Sequence, residues 1–204
     1  IRILDFTWAL AGPYGVMHLA DLGATVWKIE IVAANEERRG VGPVVDGINT
    51  YFFSVNRGKD SILIDLKTEQ GREIALSLAE KADVVTENFS PGTMAKLGLD
   101  YEAIKARKPD IIYASGTGYG PRGPDSEQPS FDRLGLARSG IMFAVGEPDM
   151  PPQPIFDGVA DQMAGVCLAY GVLAALIARD RCGIGQEVDA SLLGSMMWLQ
   201  NISV

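Results

Sequence analysis

Residues 1–30 read IRILDFTWALAGPYGVMHLADLGATVWKIE, and their pattern decides the fold class. Ile1 to Phe6 is strand-like, Gly12-Pro13-Tyr14-Gly15 leads into a helical run that ends at Leu22-Gly23, and Thr25-Val26-Trp27-Lys28-Ile29 is a second strand. Strand, helix and strand in this order make a βαβ unit. Gly23 stands where a helix end favours a left-handed residue. Pro13 suits a first turn, because the N–H it lacks would have had no intrahelical partner.

The alternation continues outward from this unit. Ser61 to Asp65 predicts a strand, Thr68 to Lys81 a helix and Asp83 to Glu87 another strand. Ser90 is then expected to cap a short helix that has Pro91 in its first position and is stopped by Gly98, and Asp100 to cap the next. A strand over Ile111 to Ser115 precedes a loop dense in glycine and proline. The long apolar helix after Asp157 and Asp161, the turn Gly183 to Gln186, the strand Glu187 to Ala190 and an amphipathic helix from Ser191 complete the pattern. The expectation is an α/β fold, a Rossmann-like parallel sheet with helices on both faces. Val32 to Asn49 is polar and glycine-rich, too long for a tight connection, and reads as a binding loop or a solvated excursion.

Composition narrows the function classes. Of 204 residues 47% are hydrophobic, enough for a large core, and 26 acidic against 18 basic side chains give a net charge of −8, which excludes the basic field of a general nucleic-acid binder. The two cysteines, Cys167 and Cys182, are too few for a disulfide framework, and a reducing cytoplasm is the expected compartment. The uncharged run Met163 to Ala178 is shorter than the roughly 20 residues of a membrane span and reads as a buried helix. The apolar end at Met196 to Val204 carries no helix-stop signal, so a longer natural polypeptide is expected.

The motifs exclude more than they select. Gly12 and Gly15 lack the GxGxxG spacing of a dinucleotide loop, although Glu30 ends the first βαβ where an acidic residue would bind a ribose. The one spacing match, Gly118 to Gly123, contains Pro121, which forbids the required helix. There is no GxSxG elbow, the single histidine His18 is expected to be a packed or surface residue, and no metal-ligand spacing occurs, so no metal is expected. What remains is carboxylates. Asp157 and Asp161, four apart at the head of an apolar helix, read either as an N-cap and a first-turn acid or as the source of a nucleophile. A carboxylate ionised at neutral pH attacks an activated acyl group without a general base. Arg38, Arg39, Arg57, Lys59, Lys67 and Lys96 offer phosphate recognition or ordinary surface charge.

Together these stretches resemble the family III CoA-transferases, the group that includes formyl-CoA transferase, carnitine CoA-transferase and α-methylacyl-CoA racemase. The resemblance runs in order through LDFTWALAGPYG, LADLGATVWKIE, NRGKDSILIDLK, ADVVTENFSPG, LGLDYEAI, KPDIIYASGTGYGPRGP and GVLAALIARDRCGIGQEVDASLL. It implies that Asp161 is a nucleophilic aspartate with Asp157 as the cap. Asp161 would take an acyl group from an acyl-CoA thioester as a mixed anhydride and pass CoA to an acceptor carboxylic acid. It further implies that coenzyme A, as acyl-CoA substrate, lies near Leu10, Ala11, Arg39, Lys67, Asn88, Phe89, Ser90, Lys96, Thr117, Gly118, Tyr119 and Gly120. Arg39, Lys67 and Lys96 would hold phosphates, Phe89 would pack near the adenine or pantetheine, and the Gly118 loop would line the thioester end.

Departures from the family pattern narrow this. Racemases of the group carry histidine before an aspartate where this chain has Phe131 before Asp132, so two-base exchange at Cα lacks a partner. Leu10 and Thr117 replace glutamine and lysine of the formyl-CoA transferases, which points away from oxalate and formate. Members of the family are about twice as long and interlock as dimers. Residues 1–204 therefore resemble the N-terminal part of the CoA-binding large domain, without the small domain. A racemase or CoA-dependent lyase, or an incomplete non-catalytic CoA-binding subunit, are the alternatives.

Overall fold

The computed structural model describes residues 1–30 and 42–200. The chain runs β1 (Arg2–Asp5), α1 (Ala11–Asp21), β2 (Thr25–Glu30), a small hairpin of β3 (Val44–Val45) and β4 (Ile48–Asn49), α2 (Thr50–Asn56), β5 (Lys59–Leu63) and α3 (Glu69–Ala79). It continues through β6 (Val84–Glu87), α4 (Thr93–Leu97), α5 (Tyr101–Arg107), β7 (Ile112–Thr117), α6 (Asp132–Arg138), α7 (Ile141–Ala144), α8 (Val159–Cys182), β8 (Gln186–Ser191) and α9 (Leu192–Leu199). Six strands form one parallel sheet in the order β5-β2-β1-β6-β7-β8. Counted along the chain this is 3-2-1-4-5-6, the doubly wound order whose direction reverses between β1 and β6. The expected Rossmann-like α/β fold is what the chain adopts.

The strands are apolar on both sides because each face is covered. Neighbouring residues point to opposite faces, so Ile3 and Leu4, Val84 and Val85, Ile112 and Ile111 divide between two cores. Ile3, Val84 and Ile112 meet Val16 and Leu19 of α1 and Leu168 and Val172 of α8. Leu4, Val85 and Ile111 meet Leu66, Leu99 and Ile104 with Ala75 and Ala79 of α3. Several boundaries follow from local chemistry, since Thr68, Asp100 and Ser191 accept hydrogen bonds from the backbone N–H of Gly71, Ala103 and Gly194 at 3.0, 3.1 and 3.0 Å. The expected cap at Ser90 is not formed. Gly92, left-handed at φ 77°, precedes α4, and Ser90 contributes only its carbonyl, to a turn with Thr93 N–H. The expected buried helix is buried on one side only, for Val166, Tyr170, Leu173 and Ile177 form an exposed apolar stripe along α8.

One contact fixes how α8 lies. A Cβ at Gly165 would stand 2.6 Å from the carbonyl oxygen of Ala11 and 3.0 Å from the nitrogen of Gly15, and one at Gly15 would stand 2.5 Å from the oxygen of Gly165. The two helices touch backbone to backbone where both lack a side chain. Gly165→Ala is expected to cost about 2–3 kcal/mol, the range for overpacking against unyielding backbone, read as a lower urea midpoint at unchanged m-value.

Candidate active site

In doubly wound sheets ligands bind outside the carboxyl ends of the strands where the order reverses. Here that point lies beyond β1 and β6, and a cleft opens there. Its walls are Trp8 to Gly12 after β1, Asn88 to Pro91 after β6, Gly116 to Gly118 at the end of β7, Gln128 to Phe131 before α6, and Asp161, Ala164 and Leu168 of α8. Among the described lining residues Asp161 is the single acid or base.

Asp161 is held there by an unexpected partner. The N-cap position of α8 is Gly158, which has no capping side chain, and the carboxylate that caps the helix is Asp132, at the start of α6. Its Oδ1 accepts from the backbone N–H of Ala160 at 2.7 Å and of Asp161 at 3.1 Å. Asp157, expected to be the cap, lies outside the helix and pairs with Arg133 at 3.0 Å on the exposed surface. Burial, and then the negative charge of Asp132, push the Asp161 carboxyl up to about 7. The full ionisation expected at neutral pH is therefore shifted: Asp161 gains its charge across the neutral range, and its anion is more basic than an ordinary carboxylate.

The other walls are shaped by backbone. Ala9 is left-handed at φ 59°, strained by roughly 1–2 kcal/mol relative to glycine. Asn88 accepts from Trp8 N–H at 2.8 Å and donates to the Trp8 carbonyl at 2.9 Å, which spends its amide on the β1–α1 loop. Gly118 lies so close to Ser130 that a Cβ would stand 2.2 Å from that of the serine. Gly120, at φ 84°, donates its N–H to the Thr117 hydroxyl at 2.9 Å.

Of the residues the resemblance selected, Leu10, Ala11, Asn88, Phe89, Ser90, Thr117, Gly118 and Asp161 line this one cleft. Gly120 lines a neighbouring, more acidic depression with Glu87, Glu187 and Asp189. Tyr119 is half-buried beneath the guanidinium of Arg138 at 5.7 Å. Lys67, in the connection leaving β5, and Lys96, in α4, are exposed and do not line the cleft. Arg39, with Arg38, lies outside the described residues. Arg57 and Lys59 are not anion receptors: Arg57 pairs with Asp21 at 2.5 Å and Lys59 is buried against Asp5 at 3.0 Å. Glu30 accepts from Ser61 Oγ at 2.5 Å. Sequence reading missed Trp8, Gln128 and Ser130 as wall residues, Asp132 as the cap, and Tyr51, close enough to Asp161 that burial and that charge together raise its phenol. Trp8 lies within the stretch LDFTWALAGPYG and Asp132 follows Phe131, but neither position announces its role, and the others carry no local motif.

The pattern of CoA-transferase family III matches residues 1–204. The chain belongs to this family. It is similar to the acetyl-CoA:oxalate CoA-transferase of Acetobacter aceti, 42% identical over 98% of this chain and 52% of that protein. It is also similar to the succinyl-CoA:mesaconate CoA-transferase of Haloarcula hispanica, 45% identical over 98% of this chain and 52% of that one. The crystal structure of a CaiB/BaiF family protein from Brucella suis superposes with a TM-score of 0.92 at 40% identity, over 98% of this chain and 54% of that structure. The chain spans about half the length of the curated relatives it matches.

The raised carboxyl has a thermodynamic consequence. Asp161 binds its proton more tightly folded, near 7, than unfolded, near 3.8, so its contribution to stability is whole below about pH 4 and is lost as pH rises through 7. Asp161→Asn removes that loss. Relative to wild type it should gain on the order of 2 kcal/mol between pH 4 and pH 8, allowing for solvent relaxation at a half-buried site, read from urea unfolding at both pH values.

Proposed function

We propose that this chain forms the CoA-binding, acyl-accepting part of a CoA-transferase that moves CoA from an acyl-CoA thioester to a carboxylic acid through Asp161. The observation that carries the reading is the cleft with one titratable group among its described lining residues, a carboxylate, standing at the switch point of the sheet in a chain of this family.

The chemistry follows from that group. An ionised Asp161 oxygen attacks the thioester carbonyl, and the tetrahedral intermediate expels CoA thiolate, leaving an acyl-aspartyl anhydride. The thiolate then attacks the Asp161 carbonyl carbon, releasing the donor acid and leaving CoA on the aspartate as a thioester. The acceptor carboxylate attacks that thioester in turn, and the thiolate returns to the acceptor's carbonyl, freeing Asp161. Backbone N–H groups of the Gly116–Gly118 segment, which lines the cleft, are the proposed donors to the developing oxyanions. Leu10, Ala11 and Phe89 offer apolar surface to the pantetheine arm. Lys67 and Lys96 are proposed to meet phosphates beyond the cleft, on the side where β5 and β6 end, and Arg39 is proposed as a further phosphate ligand.

A single carboxylate among the described lining residues weighs against racemisation, which needs a second base across Cα; Phe131, where the racemases carry histidine, lines the cleft with no titratable group. Anhydrides and thioesters hydrolyse in water, and this cleft is open on one side. Catalysis is therefore proposed to need the portion of the family's length that this chain does not span. Small dicarboxylic acids are the proposed acceptors, in keeping with the mesaconate enzyme among the relatives, while Leu10 and Thr117 keep oxalate itself off the proposal.

In the complete protein, Asp161→Ala is expected to reduce CoA transfer by at least about 10³-fold, as removal of a covalent nucleophile does; turnover within a few-fold of wild type would refute the assignment. The wild-type acylation rate should rise with pH through about 7 as Asp161 ionises, measured by stopped-flow release of CoA thiol.

A further inference from the structure

Asp5 at the end of β1, Lys28 within β2 and Lys59 at the start of β5 bring together three charged side chains that the transfer chemistry does not use. Asp5, Lys28 and Lys59 have side chains 0%, 6% and 1% exposed. Asp5 stands 3.0 Å from the ammonium of Lys59 and 3.5 Å from that of Lys28. Burial alone would push the Asp5 carboxyl up, but Lys28, Lys59 and the donors of Thr7 outweigh it and hold it well below the usual carboxylate range. Burial pulls Lys59 down to about 8 against the opposing pull of Asp5, so at neutral pH it still carries three N–H donors.

A buried ion network is a poor route to stability, because desolvation cancels most of the attraction and apolar replacements often do as well. Its purpose is read from where its bonds end. Asp5 accepts from the backbone N–H of Thr7 at 2.9 Å and from the Thr7 hydroxyl at 2.5 Å. Lys28 donates to the Thr7 carbonyl. Lys59 donates to the Pro13 carbonyl at 3.0 Å, to Asn56 at 3.1 Å and to Asp5. Both ends of the segment from Thr7 to Pro13 are thus tied to one buried knot. Between the ties lie Trp8, Ala9 in its left-handed conformation, Leu10, Ala11 and Gly12, which form one wall of the cleft.

We propose that Lys28 and Lys59, joined through Asp5, are positioning residues for the transfer reaction, clamping the strained Thr7–Gly12 wall in the shape that seats acyl-CoA against Asp161. The proposal rests on the transfer reading above. The ammonium tripod of Lys59 serves a carbonyl, an amide oxygen and a carboxylate in three directions, which the planar fork of arginine cannot reproduce although it keeps the charge.

The test uses the complete protein with Trp27→Phe and Trp198→Phe, so that Trp8 is the remaining tryptophan of this chain. In that background Lys59→Arg and Thr7→Val are compared with Asp161→Ala. Thr7→Val removes one hydroxyl at nearly constant volume, which keeps the test alive if the arginine variant fails to fold. The expected result is a folded protein with shifted Trp8 emission and a KM for acyl-CoA raised roughly tenfold to a hundredfold, the cost of misplacing a positioning element, with kcat changed much less. A folded Lys59→Arg or Thr7→Val protein with wild-type KM and Trp8 emission overturns the proposal, and so does failure of both to fold, which assigns the network to stability alone. If Asp161→Ala retains transfer, the reading of the reaction falls instead, so the two failures are distinguishable.

Discussion

The backbone contact between Gly15 of α1 and Gly165 of α8 is the constraint on which the site depends. Two helices ordinarily lie 8–10 Å apart because side chains intervene; here neither has one at the crossing, and the Ala11 carbonyl lies against Gly165. Helical spacing does the rest. Ala11 is four residues before Gly15, and Asp161 four before Gly165, so each lies one turn toward its helix N-terminus on the crossing face. The contact that packs the two helices on one face of the sheet therefore also brings the head of α8 beside the head of α1, at the mouth where β1 and β6 diverge.

The electrostatics of that mouth are asymmetric. The first backbone N–H groups of a helix favour an anion, but in α8 those of Ala160 and Asp161 are already taken by Asp132, whose other carboxylate oxygen is buried without a hydrogen-bond partner among the described residues. Asp161 receives the negative charge of that neighbour without the donors that would offset it. A carboxylate left in this position is basic, and bonding to a carbonyl carbon relieves the charge that burial opposes. Behind the opposite wall the arrangement is reversed, with two buried ammonium groups around one carboxylate and their donors directed at the carbonyls of Thr7 after β1 and Pro13 in the first turn of α1.

The fold was legible wherever its cause was local. Strand and helix alternation, the cap at Asp100, the helix starts at Thr68 and Ser191 and the glycine stop at Gly98 depend on residues within a few positions of one another, and each is formed as read. Asp157 was misread as a cap because it has the right residue type beside the helix, whereas the cap that forms, Asp132, arrives from 28 residues away. Lys59 and Arg57 read as surface charge or phosphate ligands because a sequence does not show that Asp5 and Asp21 stand opposite them. Asn88 lines the cleft, yet its amide is spent on Trp8, 80 residues earlier, which no spacing announces. The convergence of Leu10, Asn88, Thr117 and Asp161 on one cleft is a property of parallel topology, in which every strand ends on the same side.

The most direct test of the account is to incubate the complete protein with acyl-CoA, quench with hydroxylamine and map the modified peptide by mass spectrometry. A hydroxamate on Asp161, formed by capture of an anhydride or thioester at its carbonyl, is the predicted result. Hydroxamate on another carboxylate, or none on Asp161 under conditions in which CoA transfer proceeds, would contradict it.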